Sequence, residues 1–73
     1  MTKSDVLNYL KKHYQEFHKQ YKVEKIGLFG SYARDEATDE SDIDIFVKMK
    51  PDMFGMIAIK EQIEEDLHVK VDI

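Results

Sequence analysis

Five residues of this 73-residue chain have the types and the spacing to do chemistry together: Gly30, Ser31, Asp42, Asp44 and Asp72. The stretch GSYARDEATDESDID, residues 30–44, opens on a Gly-Ser pair and closes on two aspartates that flank one isoleucine. Carboxylates two apart on an extended strand point to one side, with their Cα atoms roughly 6.5–7 Å apart. From there they can converge on one divalent ion, or on two ions about 3.5–4 Å apart. An oxygen-only donor set favours Mg²⁺ or Mn²⁺ over zinc. The Gly-Ser pair suits an anion. Glycine admits a phosphate close to the backbone, a serine hydroxyl adds a donor, and the first N–H groups of a following helix are free.

The elements that must position these residues follow from periodicity. Ser4 and Asp5 are candidate caps for a first helix, along which Val6, Leu7, Leu10, Tyr14, Phe17 and Tyr21 recur at helical spacing. Val23 to Phe29 reads as a strand ended by Gly30. Ser31 to about Asp35 reads as a short helix with Ser31 as its cap, and Asp35 to Ser41 as a polar connection. Asp42 to Met49 is a second strand, broken by Pro51. Asp52 then caps a helix from Met53 to Leu67, and His68 to Ile73 is a third strand.

This αβαβαβ order predicts a single small α/β (α+β) domain over residues 1–73. Its expected sheet is mixed and three-stranded, with helices against one face. The second strand returns beside the first, and the helical crossover makes the third parallel to the second. Alternation then puts Ile43, Ile45, Val47, Val69, Val71 and Ile73 under the helices. Asp42, Asp44 and Asp72 emerge on the open face, with the end of the first strand and Gly30-Ser31 beside them. The ten residues between Ser31 and Asp42 make the return that lets one nucleoside triphosphate touch both groups.

Composition narrows the classes further. Fifteen acidic residues against eleven basic ones give a formal net charge of −4, which argues against direct nucleic-acid binding. There are no cysteines to form disulfides or thiolate metal sites. No apolar run approaches the roughly 20 residues that span a bilayer, so no membrane association and a cytoplasmic location are expected. His13, His18 and His68 are not at metal-ligand spacing and read as surface residues. Met49, Met53 and Met56 read as core filling, and EQIEED as a solvated helix face.

GSYARDEATDESDIDIFV followed by KVDI resembles the minimal nucleotidyltransferases of the DNA polymerase β superfamily. That family pattern is Gly-Ser, ten residues, Asp-x-Asp, and a third carboxylate on a later strand. Gly30, Ser31, Asp42, Asp44 and Asp72 occupy the matching positions, and Arg34 matches a common arginine. The resemblance runs from about Lys25 to Ile73. Many relatives carry glycine where this chain has Asp35 and proline where it has Asp39.

The resemblance implies nucleotidyl transfer from ATP with two Mg²⁺ ions, or Mn²⁺ in their place. Gly30, Ser31 and Arg34 would bind the nucleotide. Asp42, Asp44 and Asp72 would serve as metal ligands and catalytic carboxylates, with Asp72 on the acceptor side. Small stand-alone members of this family are commonly antitoxins that transfer AMP to a tyrosine of a HEPN-domain ribonuclease toxin, which is the partner the resemblance implies. Two other functions fit the same residues: a binding module that inhibits its toxin by occlusion, and transfer to a small molecule such as an aminoglycoside. Enzymes of the last kind usually carry a second domain that this chain has no room for. A third strand near the end of the chain leaves a sheet edge, and such edges pair with other chains, so a homodimer or a partner complex is expected.

Overall fold

Thr2 opens the first helix. In the computed structural model of the chain, which describes residues 1–73, α1 runs Lys3–Tyr21. Thr2 Oγ1 accepts from the Asp5 N–H at 3.2 Å, and Asp5 Oδ2 accepts from the Thr2 N–H at 2.9 Å. The cap is therefore Thr2, and not Ser4 or Asp5. A capping box needs an acceptor three residues inside the helix. From Thr2 that residue is Asp5; from Ser4 it would be Leu7, which has none. The helix ends at Lys22, in the left-handed conformation, whose N–H donates to the His18 carbonyl.

The remaining elements are β1 (Lys25–Phe29), α2 (Gly30–Ala33), β2 (Ile43–Lys48), α3 (Met53–Leu67) and β3 (Val71–Asp72). Each strand is shorter than its apolar run. Val23 is fully buried in the turn after α1, where its carbonyl takes the His18 ring nitrogen at 2.8 Å. His68 ends α3 in the left-handed conformation, so the chain spends the next residues turning and β3 begins only at Val71. Asp52 caps α3 as expected, accepting from the Gly55 N–H. Ser31 does not cap α2. The cap position is Phe29, and no side chain caps that helix.

The sheet order is β1-β2-β3, with β1 antiparallel and β3 parallel to β2. One face carries the core: Ile43, Ile45 and Val71 from the sheet meet Val6, Leu10 and Phe17 of α1, Ile59 and Ile63 of α3, Tyr32 of α2 and Val23. Burying each such aliphatic side chain contributes roughly 1.5–3 kcal/mol. Tyr32 matters most for the site, because it anchors the four-residue α2 in that core. On the other face Lys25, Phe29, Phe46 and Lys48 are exposed.

Two sequence expectations about side chains need correction. Met53 is 74% exposed rather than core, and Phe54 and Ile57 beside it on α3 are 85% and 47% exposed. His13 is half-buried rather than on the surface, tilted against the Tyr9 ring at 4.2 Å between centroids.

The Tyr9 hydroxyl ties α1 to α3 by donating to Asp66 Oδ2 at 2.5 Å. Burial first, and then this bond, push the Tyr9 pKa well above the ordinary phenol range. The Asp66 carboxyl is held below the usual carboxylate range by the hydrogen bond from Tyr9. Asp5 is lowered by the bond from the Thr2 backbone. A raised phenol stabilises the fold below its unfolded pKa of about 10, and that contribution is lost as pH rises through the folded value. The lowered aspartates contribute above about pH 4 and lose that contribution as pH falls. Thermal melts against pH should therefore show a plateau that declines on both sides. In Tyr9→Phe the alkaline decline should become shallower. An unchanged alkaline limb in that variant would contradict the Tyr9–Asp66 link.

Candidate active site

The strand register assembles the site. Asp44 on β2 stands opposite Phe29 on β1 and opposite Asp72 on β3. Neighbouring strands lie roughly 4.8 Å apart, so Asp44 and Asp72 are side by side at that spacing. Both leave the sheet on the face opposite the buried Ile43 and Val71, which are paired to each other in the same ladder. Asp42 immediately precedes β2 and is exposed.

Gly30 closes the arrangement. It follows Phe29 directly, and its φ of 73° lies in the left-handed region that glycine enters without cost. A Cβ built there would overlap Asp44 Oδ2 and come 3.0 Å from its Cγ. The α-carbon of Gly30 is thus packed against the Asp44 carboxylate. The Gly-Ser end of the first strand thus meets Asp44, whereas Asp42 lies just before β2 and is not among the atoms nearest that Cβ. Ser31 comes next, half-buried in the first turn of α2, where backbone N–H groups have no intrahelical acceptor.

Arg34 follows at the end of α2. Its exposed guanidinium donates to Glu36 at 3.2 Å. Asp35 adopts φ 58°, again left-handed. Aspartate is one of the few residues besides glycine that tolerate that conformation.

None of Asp42, Asp44 and Asp72 takes part in an ion pair or a side-chain hydrogen bond. Their oxygens are free to accept a cation. No three His, Asp or Glu side chains of the protein alone converge closely enough to cage one. Asp42, Asp44 and Asp72, expected from the sequence as one ligand set, are thus not brought around a common point by the protein alone. Their all-carboxylate donor set nonetheless has the chemistry of a hard divalent ion's ligands.

The third carboxylate has a support that the sequence did not reveal. The Val71 N–H points away from β2, and Glu64 Oε2 of α3 accepts from it at 2.9 Å. On the other side of the strand, the Ile43 N–H donates to the Lys70 carbonyl at 2.9 Å. β3 is held from both edges one residue before Asp72. Glu64 belongs to the EQIEED run, whose charge suggests a solvated face. Its place directly after the buried Ile63 was the available signal.

Comparison with known proteins agrees with this arrangement. Residues 10–73 match the nucleotidyltransferase domain family. The chain is 40% identical over 74 residues to "Putative protein adenylyltransferase MJ1215" of Methanocaldococcus jannaschii, an alignment covering 99% of this chain and 86% of that protein. It is 35% identical over 75 residues to "Protein adenylyltransferase MntA" of Thermococcus cleftensis, covering 100% of this chain and 76% of that one. No solved structure matches the chain. A three-stranded mixed sheet that sets a Gly-Ser turn against an Asp-x-Asp strand, together with these matches, makes the chain a nucleotidyltransferase that belongs to the nucleotidyltransferase domain family.

Proposed function

We propose that the chain transfers AMP from Mg·ATP to a hydroxyl of a protein, and that this acceptor is a tyrosine of a HEPN-domain ribonuclease toxin which the transfer silences. The observation that carries the reading is the packing of Gly30 against the Asp44 carboxylate. It puts the uncapped start of α2 beside Asp44, which supports a site where phosphates and a carboxylate-held ion meet.

The N–H groups at Gly30 and Ser31 and the Ser31 hydroxyl donate to the β- and γ-phosphates. Asp42 and Asp44 are the residues that would hold Mg²⁺, with Asp72 completing the set. Bound there, the ion neutralises triphosphate charge and lowers the pKa of an acceptor hydroxyl. The acceptor oxygen attacks the α-phosphorus, the new O–P bond forms, and pyrophosphate leaves. Asp72, on the far side of Asp44 from β1, positions the acceptor or takes its proton. Arg34 would turn from Glu36 to the phosphates when these arrive.

A protein acceptor is favoured by the relatives' names. The exposed Met53 and Ile57 border an apolar cleft of about 490 Å³ that Ile73, the neighbour of Asp72, also lines. Ile73 shares the core face with Val71, so this cleft opens on the side of β3 away from the Asp72 carboxylate. The chain has no helix long and apolar enough to cross a membrane.

ATP labelled at the α- or the γ-phosphorus, incubated with a HEPN-domain ribonuclease, tests the proposal. The α-label should become covalently attached to the ribonuclease and the γ-label should not. Stoichiometric inhibition of the ribonuclease without ATP, and no label on it, would replace transfer by occlusion.

A further inference from the structure

The open face of the sheet holds a feature that phosphate and metal chemistry leave unused. Opposed residues of an antiparallel pair share a face, so the register Gly27↔Phe46 and Phe29↔Asp44 places all four on one side. Phe29 and Phe46 are each 48% exposed there, one beside Asp44 and the other two residues along its strand. A phenylalanine half in water loses much of what its burial would contribute.

Gly27 determines where the Phe46 ring lies. A Cβ at Gly27 would overlap the Cε1 and Cζ atoms of that ring, and Cδ1 would stand 3.2 Å away. The ring therefore rests on the bare backbone of β1. A glycine inside a strand weakens the strand. What this one provides is a ring laid down against the sheet, with its remaining surface turned to solvent on the same face as Asp44. Phe29 lies diagonally across, within the reach of aromatic side chains.

The dimensions suit one ligand. Phe46 is two residues from Asp44, roughly 6.5–7 Å along the strand. That is about the reach of a ribose from an α-phosphate held at Asp44 to its base. We propose that Phe46, seated on Gly27 and flanked by Phe29, is the stacking platform for the nucleobase of the bound nucleoside triphosphate. This rests on the assignment of the phosphates to Gly30 and Ser31. A ring face carries no hydrogen-bonding pattern, so the platform holds any base, and purines more tightly than pyrimidines because more surface is covered.

Calorimetry on the full chain with Mg·ATP and with Mg·tripolyphosphate tests this. Phe46→Ala should weaken ATP roughly ten- to a hundredfold and leave tripolyphosphate unchanged, and Phe46→Tyr should restore ATP binding. Gly27→Ala, which lifts the ring, should weaken ATP in the same selective way. ATP affinity within twofold of wild type in Phe46→Ala would overturn the platform. Equal loss of both ligands in that variant would overturn it too, because the ring would then support the phosphate site and not the base. Failure of the wild-type chain to bind either ligand would instead overturn the phosphate assignment beneath it.

Discussion

Asp44→Asn is expected to lose nucleotidyl transfer and Mg·ATP binding together. Asp44 is packed on Gly30 and paired in register with Asp72, so in the proposed site it joins the phosphate cradle to the carboxylates. Asparagine keeps the shape and removes the charge that a divalent ion needs. Altering a group that merely orients a metal ligand costs about 10–100-fold in affinity or activity, so altering a ligand should cost at least the upper end of that range. Asp72→Asn should behave differently. It should leave Mg·ATP affinity within about tenfold, roughly 1.4 kcal/mol, and still slow transfer by about 10²–10⁴-fold, as the loss of a general base does. Asp44→Asn should also raise the melting temperature, because it removes one of two like charges on adjacent strands. Calorimetry beside single-turnover label transfer measures the contrast. Transfer at the wild-type rate in Asp72→Asn would remove that residue from the mechanism. Wild-type Mg·ATP affinity in Asp44→Asn would remove the metal assignment.

Gly30→Ala should damage the fold and the site at once. Alanine at φ 73° pays the left-handed cost of roughly 1–2 kcal/mol, and its Cβ forces the Asp44 carboxylate out of place. At roughly 4–8 °C per kcal/mol for a domain of this size, the melt should drop by several degrees or more. Nucleotide binding should fall with it. Asp35→Ala is the control. It meets the same kind of backbone strain at φ 58°, and none of the contacts placed at the site runs through it. It should lower the melting temperature and spare Mg·ATP affinity. Equal affinity for Mg·ATP in Gly30→Ala and wild type would mean that the contact with Asp44 is incidental.

The faces and directions of the strands that carry the candidate site are legible in the sequence, for a physical reason. Alternation on a strand assigns faces without ambiguity, so Ile43 and Ile45 against Asp44, and Val71 against Asp72, came out correctly. The element order alone predicted β2 antiparallel to β1 and parallel to β3. What stayed hidden depends on contacts between distant segments or on local geometry. The Glu64 bond to Val71 spans a helix end and a turn, and charge alone made that helix face look solvated. The strand ends at Val23 and His68 were overestimated because apolar character continues past the point where the backbone turns. Gly27 reads as an ordinary strand residue, since the ring lying on its α-carbon comes from the neighbouring strand. Met53 has the composition of a core residue, but its place on the first turn of α3 turns it outward.

The central claim is that the Gly-Ser turn and the three aspartates form one metal–nucleotide site. Backbone amide NMR with sub-stoichiometric Mn²⁺ and a non-hydrolysable ATP analogue tests it most directly. The account predicts that the amides of Gly30, Ser31, Asp44 and Asp72 broaden first, and that they do so far more strongly with nucleotide than with Mn²⁺ alone. Earliest broadening along Glu61, Glu64 and Glu65 of α3, indifferent to nucleotide, would contradict it.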